Sequence, residues 1–213
     1  ARRIIERASG AGHATLDERA SKALLAAFGI DTARTRLAAS ADEAIALAEE
    51  IGYPVALKVS ATGVLHKTDV GGVILSVMNA REVAHGFDLI RSRCAERAPH
   101  AKFLGVLVQQ MIVRPNGREL LVGLARDPAF GPVISFGMGG IAVEVLRDAA
   151  VALPPLNPFL ARELISRTRV AQMLERFRGK PAVDIDLLVD VLLKVSDIAC
   201  ELPCVQELDI NPL

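Results

Sequence analysis

A lysine in an apolar segment and a histidine in the loop after it are the residues of this chain best suited to phosphate chemistry. Lys58 lies within the run YPVALKV, which has the β-branched and aliphatic content of a buried strand, where an unpaired ammonium group is costly. The loop that follows carries His66 and Lys67 and ends in Gly71 and Gly72. Glycine N–H groups and ammonium groups together hold a polyphosphate without adding bulk. The pattern predicts a phosphate site; a hairpin whose lysines extend to solvent is the alternative.

Two oxygen-bearing residues near the end of the sequence form a second candidate site. Asp209 and Asn211 alternate along a predicted strand, so their side chains lie on one face. Two oxygen ligands on one face suit Mg²⁺, a hard cation that shares its coordination shell with phosphates and water. The alternative is a turn before Pro212. Glu144 and Asp148 are expected either to line the same cleft or to form the solvated face of a helix.

Three familiar motifs do not account for this sequence. It contains no G-x-x-x-x-G-K-[ST], which excludes a P-loop NTPase. Residues 137–142 satisfy G-x-G-x-x-A, but a dinucleotide fold also needs a strand ending in Asp or Glu roughly 20 residues later. Residues 153–158 occupy that region and contain three prolines, so they cannot form a central strand. A cysteine–histidine catalytic pair has no supporting local pattern.

Composition excludes several classes of partner. The 213 residues contain 25 basic and 25 acidic side chains, so net charge favours neither nucleic acid nor an acidic membrane surface. No apolar run approaches the roughly 20 residues of a membrane span, and the basic first residues lack the apolar segment of a secretory signal. Three cysteines, Cys94, Cys200 and Cys204, fit reduced thiols in a cytoplasmic protein better than a zinc site. Starting at alanine and ending at Asn-Pro-Leu, the sequence is expected to be a fragment of a longer protein.

Local signals predict an alternation of helices and strands. A helix over residues 16–28 takes Asp17 as N-cap and ends at Gly29, and the capping-box pair Ser40 and Glu43 begins another. Asn79 begins a third, which ends near residue 96. Strands are predicted at 30–37, 55–59, 73 onward, 104–113, 119–126, 132–136 and 205–210, and residues 154–202 are predicted to be mostly helical. The pattern indicates an α+β or mixed α/β fold in two lobes.

Taken in order, these segments resemble the ATP-grasp fold, in which two α+β lobes clamp ATP between them. HKTDVGGV, FGPVISFGMGGIAVEVLRD and ELDINPL more narrowly resemble the nucleotide-binding part of the ADP-forming acyl-CoA synthetases, such as acetate–CoA ligase, which are relatives of succinyl-CoA synthetase. The resemblance implies a lead-in at residues 1–15, a first lobe at 16–107 and a second lobe at 108–213. In succinyl-CoA synthetase a second magnesium-binding aspartate follows the Asn-Pro-Leu segment, and this sequence stops before that position.

The resemblance implies roles for individual residues. Lys58 corresponds to a lysine that contacts ATP phosphates, Glu119 to an acidic position near the nucleotide, and Asp209 and Asn211 to the Mg²⁺ site. The inter-lobe hinge, whose backbone pairs with adenine, corresponds to Gln109, Gln110, Met111 and Ile112.

His66 corresponds to a histidine that accepts a phosphoryl group and swings toward the nucleotide. Neutral imidazole is nucleophilic near pH 7, which suits this role. Lys67, Gly71 and Gly72 are expected to shape its loop and contact the nucleotide.

The implied function is the ATP/ADP-binding part of an ADP-forming acyl-CoA synthetase, with Mg²⁺ as cofactor and phosphohistidine intermediates. The implied partner is a CoA- and acyl-binding domain or subunit within an oligomeric enzyme, with CoA and a small carboxylic acid as its substrates. Two other functions remain open at this point. One is a regulatory nucleotide-binding domain fused to an acetyltransferase, and the other is a scaffold subunit that contributes only an interface.

Overall fold

The computed structural model describes residues 1–10, 12, 14–64, 67–140, 148–176 and 179–213. The chain divides into two compact units. The N-terminal unit consists of Thr15–Lys22 and Asp31–Val113, and the C-terminal unit consists of Ala1–Ala14, Ala23–Ile30 and Arg114–Leu213.

Helices and two antiparallel sheets make up the described residues. The helices are α1 (Arg2–Gly10), α2 (Glu18–Ala27), α3 (Ala41–Ile51), α4 (Ala80–Arg97), α5 (Pro158–Ser166), α6 (Ala171–Leu174) and α7 (Ile185–Glu201). The strands are β1 (Thr35–Ala38), β2 (Val55–Thr62), β3 (Val73–Val77), β4 (Lys102–Gln110), β5 (Leu120–Asp127), β6 (Gly131–Met138), β7 (Ala149–Ala152) and β8 (Glu207–Ile210). This composition confirms the predicted α+β class. None of the helices described is both long and apolar enough to cross a membrane.

The predicted helix starts are present as side-chain caps. Asp17 Oδ1 accepts a hydrogen bond from the backbone N–H of Ala20 at 2.7 Å and begins α2. Ser40 accepts from the N–H of Glu43 at 3.2 Å, while the Glu43 carboxylate accepts from the N–H before Ser40, which is a capping box at the start of α3. Asn79 caps α4 in the same way. Each cap satisfies N–H groups that the first helical turn leaves without partners.

The sheet of the N-terminal unit has the strand order β1-β4-β2-β3. One face carries its core: Val55, Leu57 and Val59 of β2 are fully buried, and α3 and α4 pack against this sheet. The side chain of Lys58 therefore points to the opposite face, because neighbouring strand residues alternate between faces. The core fixes which residues of β2 remain available to a ligand.

The sheet of the C-terminal unit has the order β7-β6-β5-β8. Val122 and Leu124 of β5 are buried opposite Phe136 and Ile134 of β6, and helices α5 and α7 pack against these strands. The other face of β5 and β8 carries Asp209, which lies opposite Gly123 and is exposed. The sheet thus separates an apolar core from a polar face.

Two elements differ from the expectation. The lead-in, where no lasting periodicity was expected, contains helix α1, and none of its side chains is buried. Strand β7 was not predicted, and it pairs with β6 from Gly137 to Ile134. Its sequence, AAVA, is too short and too uniform to display an alternation.

Candidate functional site

Three lysines of the N-terminal unit meet at one carboxylate. Lys22 and Lys58 each place Nζ near Glu18 Oε1, at 3.0 and 3.1 Å, and Lys67 places Nζ 2.6 Å from Glu18 Oε2. Glu18 and Lys22 are four residues apart on helix α2, Lys58 comes from strand β2, and Lys67 comes from the loop before β3. The structure thus brings together the two lysines that the sequence singled out, Lys58 and Lys67, and adds a third.

Lys22 is held from two further sides. Its ammonium group donates to Thr35 Oγ1 at 2.8 Å and to Gln109 Oε1 at 2.9 Å, in addition to Glu18. Three acceptors match the three N–H donors of an ammonium group. Lys22 is thereby fixed, and it orients the side-chain amide of Gln109.

The lysine cluster, defined as Glu18, Lys22, Lys58 and Lys67, carries a net charge of two positive units when all four groups are ionised. Burial alone would raise the pKa of Glu18, but the hydrogen bond from Lys67 and the charges of Lys58 and Lys22 outweigh it and lower this pKa to about 2. Burial lowers the pKa of Lys22, and the charges of Lys58 and Lys67 act in the same direction against the opposing effect of Glu18. The cluster combines three ammonium groups with one internal carboxylate, an arrangement that suits an anionic ligand.

Glu18 and Lys22 were missed by the sequence analysis. An acidic and a basic residue four apart on a helix usually form a solvent-exposed pair of little consequence. A larger charge network is indicated by two further charged residues, Lys58 and Lys67, which need a counter-charge in the same unit. Only the tertiary structure connects the two pairs.

His66 and Leu65 lie outside the described residues, and the residues that follow them form a turn. The turn at residues 67–70 ends in a Schellman motif, in which Gly72 N–H donates to the Lys67 carbonyl at 2.8 Å and Gly71 N–H to the Thr68 carbonyl at 2.9 Å. Gly71 has φ of +62°, which favours glycine. A Cβ at Gly72 would collide with Val59 of the core strand. Both glycines are therefore required by the loop geometry.

Of the four residues predicted to form a hinge, two have backbone N–H groups that are engaged within the N-terminal unit. Gln110 N–H donates to the Arg34 carbonyl at 2.8 Å, and Met111 N–H donates to the Pro54 carbonyl at 3.2 Å. The sulfur of Met111 accepts a hydrogen bond from the N–H of Ser76. Ile112 follows β4, and its side chain is 58% exposed. A nucleobase that pairs with this segment would therefore use its carbonyl oxygens or N–H groups other than those of Gln110 and Met111.

In the C-terminal unit, the glycine turn at residues 137–140 lies against Glu119 and Asn211. Gly139 N–H donates to the Glu119 carbonyl at 2.8 Å, and Gly140 N–H donates to Asn211 Oδ1 at 2.7 Å. A Cβ at Gly140 would collide with the Glu119 carboxylate, and one at Gly139 would collide with the backbone of Leu120. Because these positions are glycines, Glu119 and Asn211 can both lie directly against the turn.

The residues at the polar face of the C-terminal unit fit a Mg²⁺ ion that is shared with a phosphate ligand. Partial burial of the carboxyl group raises the pKa of Asp209, and the nearby charge of Glu207 adds to the increase, so a cation there would relieve the repulsion between the two carboxylates. Asn211 Oδ1 has a second lone pair beyond its bond to Gly140. Among the described residues no three His, Cys, Asp or Glu side chains form a metal site. Mg²⁺ usually takes one or two carboxylates and completes its shell with phosphate and water.

Asp148 has a structural role. Its carboxylate accepts hydrogen bonds from the backbone N–H groups of Arg169 and Val170, both at 2.7 Å, and so holds the chain before helix α6. Its suggested companion, Glu144, lies outside the described residues.

Comparison with known proteins identifies similar sequences over the whole chain. Residues 7–213 match the family model described as an ATP-grasp domain. The chain is 38% identical over 213 residues to the β subunit of an ADP-forming acetate–CoA ligase of Pyrococcus furiosus, and it covers 90% of that subunit. It is 44% identical over 190 residues to an ADP-forming acetate–CoA ligase of Archaeoglobus fulgidus, of which it covers 27%. The chain thus spans most of a separate subunit but about a quarter of a longer ligase.

The fold is similar to solved structures of an acetyl-coenzyme A synthetase from Ca. Korarchaeum cryptofilum. One, in complex with coenzyme A and Ca-AMPCP, superposes with a TM-score of 0.94 at 36% identity and covers 99% of this chain and 91% of that one. Another, with a TM-score of 0.87 at 34% identity over the same shares of both chains, contains coenzyme A and Mg-AMPPCP, and its phosphohistidine segment points towards the nucleotide-binding site.

Proposed function

Because this chain belongs to the ATP-grasp domain family, as the ATP-grasp part of the ADP-forming acid–CoA ligases, we propose that it binds the nucleotide of such an enzyme. The reaction interconverts acyl-CoA, ADP and phosphate with acid, CoA and ATP. A CoA- and acyl-binding part, on another subunit or elsewhere in a longer chain, is the proposed partner, and the whole enzyme is proposed to be an oligomer. The relatives are ligases, which supports this function over a regulatory domain or a scaffold.

The observation that carries the proposal is the lysine cluster. Two uncompensated positive charges stand at the end of a glycine-containing loop, where a polyphosphate can contact the ammonium groups of Lys58 and Lys67 together. At an effective dielectric constant near 20, a phosphate charge about 4 Å from one ammonium group gains about 4 kcal/mol. Lys58 and Lys67 are the residues proposed to contact the phosphates, and Gly71 and Gly72 shape the turn that presents Lys67.

ATP-grasp domains bind ATP or ADP with Mg²⁺, and the polar face of the C-terminal unit supplies suitable oxygen ligands. We assign Asp209 and Asn211 to the ion and Glu119 to the surroundings of the nucleotide. When bound, Mg²⁺ neutralises negative charge on the phosphate oxygens. The segment of Gln109, Gln110, Met111 and Ile112 is the proposed adenine contact, because it presents backbone groups at the end of β4.

His66 is the proposed phosphoryl acceptor. A lone pair of its neutral imidazole attacks the γ-phosphorus of ATP, a P–N bond forms, the bond to the leaving oxygen breaks and ADP departs, while the other ring nitrogen keeps its proton. The protein contributes mainly position and charge stabilisation to such a transfer. Gly63 and Gly71, on either side of His66 in the sequence, have φ of +82° and +62°, conformations that favour glycine. In the opposite direction the phosphohistidine returns its phosphoryl group to ADP.

We also propose that residues 16–107 and 108–213 form the two lobes of the domain, preceded by the segment at 1–15. The described cysteines are free thiols, which supports a reducing compartment, and the proposed location is the cytoplasm.

Binding of nucleotide to the chain itself is the direct test. Millimolar Mg·ADP or Mg·ATP should raise the melting temperature of the chain and give a calorimetric binding signal, because a ligand of the native state stabilises it. Lys58→Ala should abolish both effects. The matched control is Lys102→Ala, an exposed strand lysine of the same unit, which should leave them unchanged.

Turnover requires the complete enzyme. Assembled with its CoA-binding part, the chain should support formation of acyl-CoA from ATP, CoA and a small carboxylic acid, with release of ADP. Release of AMP, or nucleotide binding without turnover over a panel of acids, would contradict the assignment.

A further inference from the structure

Lys67 connects the loop that carries His66 to the rest of the N-terminal unit. Its carbonyl accepts the hydrogen bond from Gly72 N–H that closes the Schellman motif, and the Gly72 carbonyl in turn accepts from the N–H of Val59 in strand β2 at 2.7 Å. Its ammonium group reaches Glu18 on helix α2. Arg93 of helix α4 also donates to the Gly71 carbonyl at 3.1 Å. The end of the loop is thus held by a backbone bond to β2, by this side-chain bond from α4 and by one ion pair to α2.

Glu18 is the common partner of this cluster. Its side chain is 17% exposed, and the three lysine side chains are 21 to 28% exposed, so the ion pairs are screened less than surface pairs. Within the described residues, Lys58 and Lys67 have Glu18 as their recorded side-chain partner, whereas Lys22 also has Thr35 and Gln109. Removing Glu18 would therefore free Lys58 and Lys67 but leave Lys22 in place.

We propose that Glu18 is an exchangeable counter-ion, which holds Lys58 and Lys67 together until a polyphosphate takes its place. A polyphosphate carries several negative charges against the single charge of Glu18, so it competes successfully for both ammonium groups. Exchange releases Lys67, and with it the turn at residues 67–70, from helix α2. Glu18 is on this view a positioning residue that couples phosphate binding to the mobility of the loop end. The proposal rests on the proposed function, in that the polyphosphate is that of the nucleotide.

Amide exchange in the full chain without ligand tests the first half of the proposal. Glu18→Gln keeps the size of the side chain but removes its charge, and the N–H groups of Gly71 and Gly72 should then exchange at least about 5-fold faster, because local opening becomes easier. Glu50→Gln is the matched control: it removes an exposed helix carboxylate of the same unit and should change nothing. Equal protection in Glu18→Gln and wild type would overturn the proposal.

Lys67→Gln provides a second route that does not depend on the folding of the Glu18 variant. It breaks the same ion pair from the other side, so Gly71 and Gly72 should exchange as fast as in Glu18→Gln. The double variant should be no faster than either single variant, because the two changes remove one interaction. Additive effects would show that Glu18 and Lys67 act separately, against the proposal.

Binding of tripolyphosphate, measured by calorimetry, tests the exchange itself. If the anion replaces Glu18, Glu18→Gln should bind it about 3- to 10-fold more tightly at low ionic strength, with a difference that shrinks as salt is added. A carboxylate that only preorganises the lysines would give the opposite sign, so weaker or unchanged binding would overturn the proposal. Glu50→Gln should match wild type.

These outcomes separate the counter-ion proposal from the proposed function. Failure of the wild-type chain to bind Mg·ADP or Mg·ATP would remove the nucleotide assignment, while the tripolyphosphate and amide-exchange differences would still decide the role of Glu18. Nucleotide binding with wild-type behaviour of Glu18→Gln in both measurements would support the proposed function and overturn the counter-ion proposal.

Discussion

The side-chain oxygen of Asn211 accepts a hydrogen bond from the backbone N–H of Gly140 at 2.7 Å, across 71 positions of sequence. One residue therefore fixes the glycine turn and presents an oxygen to the polar face of the C-terminal unit. Both roles depend on the same side-chain oxygen, so a substitution that removes it should weaken both, and one that keeps an oxygen should preserve both.

Asn211→Ala removes the acceptor of the Gly140 N–H and should lower the free energy of unfolding by about 1 kcal/mol, the net value of one partly exposed hydrogen bond. Asn211→Asp keeps an acceptor oxygen and should be close to wild type in stability. Urea unfolding measures both. Titration of Mg²⁺ at fixed ADP should show a lower affinity for Mg²⁺ in Asn211→Ala than in Asn211→Asp. Identical behaviour of the two variants would contradict both roles.

Gly140→Ala should destabilise the C-terminal unit by about 1–3 kcal/mol, because φ at this position is +69° and a Cβ would meet the Glu119 carboxylate. The double variant Gly140→Ala with Glu119→Ala should recover part of the loss, since the collision disappears while the backbone strain stays. Thermal unfolding measures the difference. No recovery in the double variant would show that Glu119 moves aside at no cost.

The lowered pKa of Glu18 predicts a pH dependence of stability. Its pKa is about 2 in the folded chain, against an ordinary value of 4.5, so its contribution is complete above pH 4.5 and is lost as the pH falls toward 2. The shift corresponds to roughly 3 kcal/mol. The difference in unfolding free energy between wild type and Glu18→Gln should therefore shrink over this range. A flat profile for Glu18→Gln would contradict the ion-pair network.

His66→Asn should keep nucleotide affinity near wild type and eliminate turnover of the assembled enzyme, because an amide cannot carry the phosphoryl group. Labelled ATP should leave an acid-labile, base-stable label on the wild-type chain alone. The labelling rate should fall below a pH of about 6.5, where an unperturbed imidazole becomes protonated and loses its nucleophilic lone pair. Retention of most of the activity in His66→Asn and His66→Ala would reduce His66 to a loop residue.

Local features of this fold were predictable from sequence because neighbouring residues create them. Asp17, Ser40 and Asn79 cap helices with atoms that lie three residues from their partners, and a short pattern contains all that is needed. The strand β2 and the paired glycines of its loop were predictable for the same reason. Strand β7 has no such pattern, and it is defined by its pairing with β6.

The candidate site was only partly predictable, because its charge balance is tertiary. Lys58 and Lys67 were identified from their unusual settings in the sequence. Glu18, which neutralises one of their charges, lies 40 and 49 positions away on a helix where an acidic residue is ordinary. The bond from Asn211 to Gly140 was hidden in the same way, since the sequence shows a strand residue and a glycine turn but not their distance.

The positions of the strands along the chain also determine which unit can fold first during synthesis. Every residue of the N-terminal unit precedes Arg114, so its sheet can close while the ribosome is still producing the rest. The C-terminal unit must wait for β8, which supplies the partner of β5 from residues 207–210. Until then the edge of β5 that faces away from β6 has no partner strand. β5 is rich in leucine and valine, and such an exposed edge can pair with other chains. Translation that stops between β7 and β8 should therefore yield a nascent protein with one finished unit and one prone to aggregate.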